Sequence, residues 1–198
     1  KSENSEDAIS WNVFRSLRQI TPDIWVPLLF EKAFGSKPVS SINDTIVGLW
    51  RDVAPPPALL KTGDEGISEI DIVLENPDWV WFIEAKYKSD ISAGTTTRPE
   101  RDQILRNIDV GSYYSGVRNF YFALLFLNEK HSPKGISAVE KYQKLELFQS
   151  ALPHREDGLK NIMGIGLLTW ANLAEILEVA SESSEREDEQ VFAKRAIT

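Results

Sequence analysis

The sequence contains no cysteine and only two histidines among its 198 residues. Without cysteine the chain can form no disulfide, no thiolate nucleophile and no cysteine-ligated zinc site. His131 and His154 lie in polar, loop-like segments, so we expect neither a Ser–His–Asp enzyme nor a multi-histidine metal site. Any metal would have oxygen ligands, which favours magnesium, manganese or calcium. The absence of cysteine fits the cytoplasmic location that we expect.

Long apolar runs are also missing. A membrane helix needs about 20 apolar residues, and the longest run here, residues 120–127, has the length of a strand. The first residues lack the pattern of a signal peptide. The chain begins at Lys1 rather than with methionine, which indicates a trimmed N-terminus. We therefore expect no membrane association.

Basic residues are fewer than acidic ones: 22 Lys and Arg stand against 30 Asp and Glu, for a net charge of −8. Proteins that bind nucleic acid non-specifically are usually basic, so this balance argues against such a binder. It does not exclude a nuclease, because part of the negative charge lies in residues 181–190 and bound cations can neutralise other carboxylates. Basic residues that could meet phosphates lie near one stretch of the chain: Lys86, Lys88, Arg98, Arg101, Arg106 and Arg118.

Hydrophobic periodicity predicts an α/β fold. Helices are predicted over residues 5–19, 23–34, 99–112, 136–151 and 171–180. Strands are predicted over residues 45–53, 66–74, 79–87, 118–127 and 162–169. This order gives a mixed β-sheet flanked by helices, in which the second and third strands form an antiparallel hairpin and the later strands add in parallel.

The pattern indicates one domain over residues 1–180 and a charged tail over residues 181–198. We expect the tail to be a solvated helix or to fray. Residues 92–98 are predicted as a loop that could close over a substrate.

Two predicted strands carry polar groups that a buried strand normally lacks. Asp71 lies among apolar residues of one strand, and Glu84 and Lys86 follow an apolar run in the next. Residues two apart share a face of a strand, so Glu84 and Lys86 point the same way. Pairing of the two strands around the turn brings Asp71 close to Glu84. Burying such charges is costly unless they pair or bind a cation, so the pattern indicates a chemical site.

The order helix, three strands, helix, strand, with Asp71 on the second strand and Glu-x-Lys at residues 84–86 on the third, resembles the PD-(D/E)xK nuclease superfamily. No proline precedes Asp71, so this half of the motif departs from the superfamily name. The resemblance covers about residues 5–127. It implies a restriction endonuclease-like fold with an αβββαβ core.

The resemblance also implies roles for these residues. Asp71 and Glu84 would bind Mg²⁺, which Mn²⁺ can replace, together with the backbone carbonyl of Ala85. Such an ion neutralises the phosphodiester and lowers the pKa of bound water. Lys86 would orient or help to deprotonate the attacking water, or stabilise the transition state.

Three further residues resemble accessory groups of the superfamily. Glu6, on the first predicted helix, would support the metal shell. Gln103, on the helix after the Glu-x-Lys strand, would support Lys86. Arg106 lies about one turn later and would contact a phosphate of the substrate.

Each of these residues also has a purely structural interpretation. Asp71 could face water on an edge strand, and Glu84 and Lys86 could be an exposed pair on an alternating strand. Glu6 could simply stabilise its helix, because a negative charge is favourable near the positive, N-terminal end of a helix. Gln103 could cap its helix, and Arg106 could be a surface residue.

The sequence therefore favours a metal-dependent endonuclease that cleaves DNA by attack of metal-activated water. One alternative is a non-catalytic relative that uses the fold for binding or assembly, and another is a magnesium phosphohydrolase with an acidic site. RNA and branched substrates also stay open. Nucleic acid, most simply DNA, is the expected partner. The acidic surface is typical of a nuclease that is strictly selective for its substrate or that is delivered to it by a recognition subunit. Double-strand cleavage needs two active sites, which a homodimer would supply.

Overall fold

The computed structural model describes residues 6–38, 40–62, 65–92, 94, 100–155 and 159–197. The helices are α1 (Glu6–Leu17), α2 (Pro22–Phe34), α3 (Pro57–Thr62), α4 (Gln103–Ser115), α5 (Pro133–Tyr142), α6 (Leu145–Ala151), α7 (Trp170–Ser183) and α8 (Glu187–Ile197). The strands are β1 (Ile46–Val53), β2 (Ser68–Glu75), β3 (Trp79–Lys86), β4 (Asn119–Phe126) and β5 (Ile162–Thr169).

One five-stranded mixed sheet with the order β1-β2-β3-β4-β5 organises the molecule. The pairs β1–β2 and β2–β3 are antiparallel, whereas the pairs β3–β4 and β4–β5 are parallel. In the turn between β2 and β3, the side chain of Asn76 accepts hydrogen bonds from the backbone N–H groups of Asp78 and Trp79. The predicted α/β class, the antiparallel hairpin and the parallel addition of the later strands are confirmed.

Helices cover both faces of the sheet. On one face, here called the α1 face, α1, α2, α7 and α8 pack against alternate residues of β3 such as Trp81 and Ile83. On the other, here called the α4 face, α4 and α5 pack against Val80 and Phe82. All eight residues of β3 are buried, so any charged side chain on this strand needs a partner inside the protein.

Helix α4 lies close to the sheet because Gly111 lacks a side chain. A Cβ atom at Gly111 would come within 2.2 Å of the ring of Phe120 on β4. Gln103 and Asn107 lie eight and four residues before Gly111, so the three share one face of the helix. The helix begins where the side chain of Asp102 accepts a hydrogen bond from the backbone N–H of Leu105, at 2.9 Å. This packing directs Gln103 and Asn107 at β3.

A buried ionic network fixes the other side of α4. Asp109, which is 0 % exposed, accepts hydrogen bonds from Arg101 at 2.8 Å, from His154 at 2.7 Å and from Arg155 at 2.9 Å. Arg101 also pairs with Glu65. Burial raises the pKa of Asp109, but the hydrogen bond and charge of His154 and the two arginines outweigh it, so the pKa lies below its ordinary value. The network ties α4 to the segments before it and after α6.

Strands β1 and β2 are distorted at one position. Leu49 pairs with Ile72 and Arg51 with Ile70, but the ladder contains no pair between them, where Trp50 would face residue 71. Trp50 has a φ of 49°, a left-handed conformation that costs a bulky residue roughly 1–3 kcal/mol.

The pleat reverses at this distortion. Leu49 and Ile72 pack on the α1 face, whereas Ile70 packs on the α4 face, although regular alternation would place Ile70 and Ile72 on the same face. Residue 71 therefore occupies the point at which β2 changes face.

Several element boundaries differ from those predicted by sequence. The helix predicted from residue 99 begins at Gln103, because Asp102 supplies the cap, and Pro99 lies outside the described residues. The helix predicted over residues 136–151 is divided into α5 and α6. Helix α3 was not predicted, because proline-rich segments usually break regular structure, although proline suits the first turn of a helix. The loop predicted over residues 92–98 lies mostly outside the described residues.

The charged C-terminal segment forms a packed helix. Glu189 and Ala193 of α8 are buried, and one carboxylate oxygen of Glu189 accepts hydrogen bonds from the backbone and hydroxyl of Thr21, at 3.1 and 2.7 Å. The tail is helical rather than frayed, as one of the two expectations had it, but the helix is packed rather than solvated, and Glu189 joins it to the start of α2. None of the helices in the described part of the chain combines the length and apolar character needed to cross a membrane.

Candidate active site at the divergence of β2 and β3

The candidate site lies where β2 and β3 separate. Their ladder ends at the pair Ile72 and Ile83, and β3 continues without β2 beside it. In the gap, the side chain of Asp71 accepts a hydrogen bond from the backbone N–H of Ala85, at 2.9 Å. In an antiparallel pair, the N–H and C=O groups of one residue point to the same side, so the carbonyl of Ala85 also faces this gap.

Glu84 is the centre of the polar cluster. It is 1 % exposed, and its Oε1 accepts hydrogen bonds from Lys86 Nζ and from Gln103 Nε2, both at 2.6 Å. Its Oε2 accepts one from Asn107 Nδ2, at 2.7 Å. Lys86 lies on the same strand face, as its spacing predicts, and α4 supplies the two amides. The buried charge of Glu84 is therefore matched by one cation and two neutral donors.

Glu6 reaches the site from the first turn of α1. Its Oε2 accepts hydrogen bonds from the backbone N–H of Tyr87 at 2.8 Å and from the Ser89 hydroxyl at 2.6 Å. Its Oε1 lies 3.6 Å from Lys86 Nζ. Asp71 thus accepts a hydrogen bond from the backbone N–H of Ala85, and Glu6 accepts one from the backbone N–H of Tyr87. Both N–H groups lie on the side of this segment where β2 no longer pairs with β3.

Negative charge exceeds positive charge in this cluster. Burial raises the pKa of Asp71 to about 8, with a further contribution from the charge of Glu84. The hydrogen bond from Ala85 and the charge of Lys86 act in the opposite direction without compensating for these effects. Three acidic side chains, those of Glu6, Asp71 and Glu84, therefore share one ammonium group, and Asp71 binds its proton more tightly than an ordinary aspartate does.

Lys86 keeps its positive charge. Burial lowers the pKa of this ammonium group, but the charge and hydrogen bond of Glu84 and the charges of Glu6 and Asp71 outweigh it, so the pKa lies above its ordinary value. In this arrangement Lys86 acts as a fixed cation and hydrogen-bond donor.

The structure brings together five of the residues singled out in the sequence: Glu6, Asp71, Glu84, Lys86 and Gln103, with the carbonyl of Ala85 facing the same gap. Gln103 contacts Glu84 rather than Lys86, and its Oε1 accepts from the backbone N–H of Ser92 at 3.2 Å.

The basic residues that the sequence offered as phosphate ligands do not all lie free beside the site. Arg106 follows Gln103 on α4, and its Nε atom is buried without a hydrogen-bond partner in the described part of the chain. Arg101, which the sequence placed among candidate phosphate ligands, is 3 % exposed and committed to Glu65 and Asp109. Arg118 pairs with Glu75 at 3.0 Å. Arg98 lies outside the described residues.

Asn107 was not recognised in the sequence. It donates to Glu84 and is 3 % exposed. Its position four residues after Gln103, on the same helix face, was an available signal.

The atoms that could hold a metal ion are the carboxylate oxygens of Asp71 and Glu84 and the carbonyl oxygen of Ala85. The carboxylate of Glu6, on the other side of Lys86, is a further candidate. No described donor contacts Asp71 Oδ1. Across the described ranges, no three His, Cys, Asp or Glu side chains are gathered closely enough to form a metal site by themselves. One or two carboxylates are sufficient for Mg²⁺, which usually keeps several of its waters. The donor set and its excess negative charge therefore fit a hydrated divalent cation.

The pKa of Asp71 has a consequence for stability without metal. The folded pKa of about 8 exceeds the ordinary 3.8, so the folded state binds the proton more tightly, and its stabilising effect is lost as the pH rises through about 8. In EDTA, the urea midpoint of the wild type should therefore fall as the pH rises from about 4 to about 8 and level off above that. Asp71→Asn should remove most of this fall, because the amide cannot ionise. Substitution of Asp52, which is exposed, should leave the pH dependence of the urea midpoint as it is in the wild type. Parallel pH curves for wild type and Asp71→Asn would contradict the prediction.

Comparison with protein-family models, with curated proteins and with solved structures gave no significant match. The functional interpretation of the site therefore depends on its residues and geometry.

Proposed function

We propose that the chain is a metal-dependent nuclease with a restriction endonuclease-like fold that hydrolyses phosphodiester bonds of DNA. One observation carries the proposal. Asp71, Glu84 and Lys86 converge at the end of an apolar sheet, where β2 leaves β3. The mixed sheet, with helices on both faces and α4 between β3 and β4, is compatible with the αβββαβ order.

The chain's own residues divide the chemical work. Asp71, Glu84 and the carbonyl of Ala85 supply oxygen atoms for a divalent cation. When bound, such an ion neutralises phosphate charge and lowers the pKa of a water that it holds. Lys86 is fixed by Glu84 and Glu6 at the edge of this set, where its ammonium group can donate to an attacking water or to a phosphate oxygen. This charge stabilises the negative charge that develops on phosphorus oxygens in the transition state.

Gln103 and Asn107 position the carboxylate rather than the substrate. They donate to different oxygens of Glu84, so the plane of the carboxylate is fixed by α4. A fixed carboxylate and a fixed ammonium group require little reorganisation during reaction, which is the main source of electrostatic catalysis. A surface ion pair would not need these two amides, of which Asn107 is buried and Gln103 partly buried.

Cleavage of supercoiled plasmid DNA tests the proposal directly. The wild type should cut in Mg²⁺ or Mn²⁺ and not in EDTA. Glu84→Gln keeps the shape of the side chain but removes a charged ligand, so it should abolish cleavage and weaken Mn²⁺ binding measured by calorimetry. Glu175→Gln is the matched control, since Glu175 is exposed and pairs with the exposed Lys32; this variant should behave as the wild type.

The alternatives give different results. Mn²⁺ binding that depends on Glu84, without cleavage of any nucleic acid, would favour the non-catalytic interpretation. Hydrolysis of a small phosphate ester but not of DNA would favour a phosphohydrolase. Metal binding that is equal in wild type and Glu84→Gln would overturn the proposed site.

A further inference from the structure

An aromatic pair with a neighbouring arginine lies beside the candidate site. Trp11 of α1 and Trp50 of β1 stack with ring centroids 5.8 Å apart and planes inclined by 15°. The guanidinium carbon of Arg15 lies 5.4 Å from the centre of the Trp11 ring. Trp11 is 39 % exposed, although burial would be expected of so large an apolar side chain.

The pair is continuous with the candidate site on both of its elements. Helix α1 carries Glu6 at one end, beside Lys86, and Trp11 about one and a half turns later, roughly 7–8 Å along the helix axis. On the sheet, Trp50 lies where the ladder between β1 and β2 is interrupted, between the pairs Leu49–Ile72 and Arg51–Ile70, and Asp71 is the β2 residue at the same interruption. The two tryptophans therefore lie on α1, which carries Glu6, and on β1, which borders the strand that carries Asp71.

The backbone of Trp50 supports a functional role for the pair. Its φ of 49° lies in the left-handed region, which a tryptophan in a strand adopts only at a cost. Strain of this kind tends to occur at ligand-binding sites. Here the distortion places Trp50 on α1's side of the sheet, against Trp11.

A polar, cationic cavity adjoins the pair along α1. Its volume is about 420 Å³, and its described lining is Asn12, Arg15, Ser16, Gln19, Phe192 and Arg195. Two arginines and no carboxylate belong to this lining, in a chain whose net charge is −8. Arg15 belongs both to the cavity and to the contact with Trp11, so a cavity with two basic residues lies directly next to an aromatic surface.

We propose that Trp11 and Trp50 form a stacking platform for an unpaired base of the substrate, and that the cavity between α1 and α8 binds a neighbouring phosphate through Arg15 and Arg195. Base faces stack on exposed aromatic rings without regard to sequence, and nearby arginines bind the phosphate backbone. A base inside a duplex is stacked on both sides and cannot use the platform. The inference rests on the proposed function and narrows its substrate to nucleic acid with single-stranded character next to the cleaved bond.

Fluorescence anisotropy in EDTA tests this without cleavage. A fluorescein-labelled oligo(dT) strand, the corresponding duplex and an abasic strand of equal length are titrated with wild type, Trp11→Ala and Arg15→Ala. Trp11→Ala should weaken binding of oligo(dT) by about tenfold and leave the abasic strand and duplex unchanged. Arg15→Ala should weaken both single strands. Tyr113→Ala and Arg186→Ala, which alter an exposed ring and an exposed arginine elsewhere, are the matched controls.

The outcomes separate this inference from the proposed function. Three results would overturn the platform, even if the protein cleaves plasmid. They are equal binding of oligo(dT) by wild type and Trp11→Ala, an equal loss of affinity for the abasic strand in Trp11→Ala, and no binding of oligo(dT) by the wild type. Binding that depends on Trp11, without any cleavage, would support the platform and contradict the nuclease. Urea unfolding of each variant shows whether the fold is retained, and Trp11→Phe, which keeps a ring, should recover most of the affinity.

Discussion

Lys86→Ala is expected to lower the rate of DNA cleavage by about 10²–10³-fold, the usual effect of removing one preorganised charge donor from an active site. The ammonium group is 2.6 Å from Glu84 Oε1 and 3.6 Å from Glu6 Oε1, so its position is fixed before substrate arrives. Its raised pKa keeps it charged at neutral pH. The effect should therefore appear in kcat, because the charge acts mainly on the transition state.

Single-turnover cleavage at saturating protein and metal measures this effect. Metal binding by Lys86→Ala should be as tight as in the wild type or tighter, since the substitution removes a positive charge from beside the carboxylates. Lys32→Ala is the control, because Lys32 is an exposed lysine paired with an exposed glutamate. Retention of full activity by Lys86→Ala would exclude the assigned role, and the ion pair would then be structural.

Asp109→Asn is expected to lower the free energy of unfolding by about 3–5 kcal/mol, the range found when one partner of a buried ion pair is removed. Asp109 is 0 % exposed and accepts from Arg101, Arg155 and His154. Asparagine has nearly the same shape but removes the buried negative charge that Arg101 and Arg155 share, although Arg101 keeps its pair with Glu65. The loss is much larger than for an exposed pair, which is worth about 0–1 kcal/mol.

Urea unfolding at several pH values provides the measurement. The pKa of Asp109 is lowered in the folded protein, so its stabilising effect is present above the unfolded pKa and is lost as the pH falls through the folded value. The difference between wild type and Asp109→Asn should therefore narrow in acid. Asp188→Asn, which alters an exposed pair with Arg186, should change stability little. A loss of similar size for both variants would mean that the network contributes no more than a surface pair.

The sequence was sufficient to predict the sheet and the contact between Glu84 and Lys86. Long apolar strands and turn residues identify a buried sheet, and a spacing of two fixes a common face. The proximity of Asp71 to β3 was also expected from the hairpin. The catalytic roles of these residues stay predictions, because they depend on chemistry that a spacing does not define.

Other features depend on contacts between distant segments, which local patterns do not encode. Asp109 resembles an ordinary helix residue until residues 154 and 155 pack against it. Glu189 lies in an acidic run that predicts a solvated surface, yet it binds Thr21, which lies 168 residues earlier. Arg101 was a reasonable phosphate ligand by sequence, but two carboxylates from other segments bury it.

The left-handed backbone of Trp50 also affects how the molecule behaves in a concentrated solution. β1 is an edge strand, and a regular edge offers its free N–H and C=O groups to a strand of another molecule. At Trp50 the edge is interrupted, and the residues after it turn toward the opposite face, so an incoming strand cannot pair along the full length of β1. The same kink that accompanies the stacking of Trp50 on Trp11 thus protects this edge of the sheet from intermolecular β-pairing and aggregation.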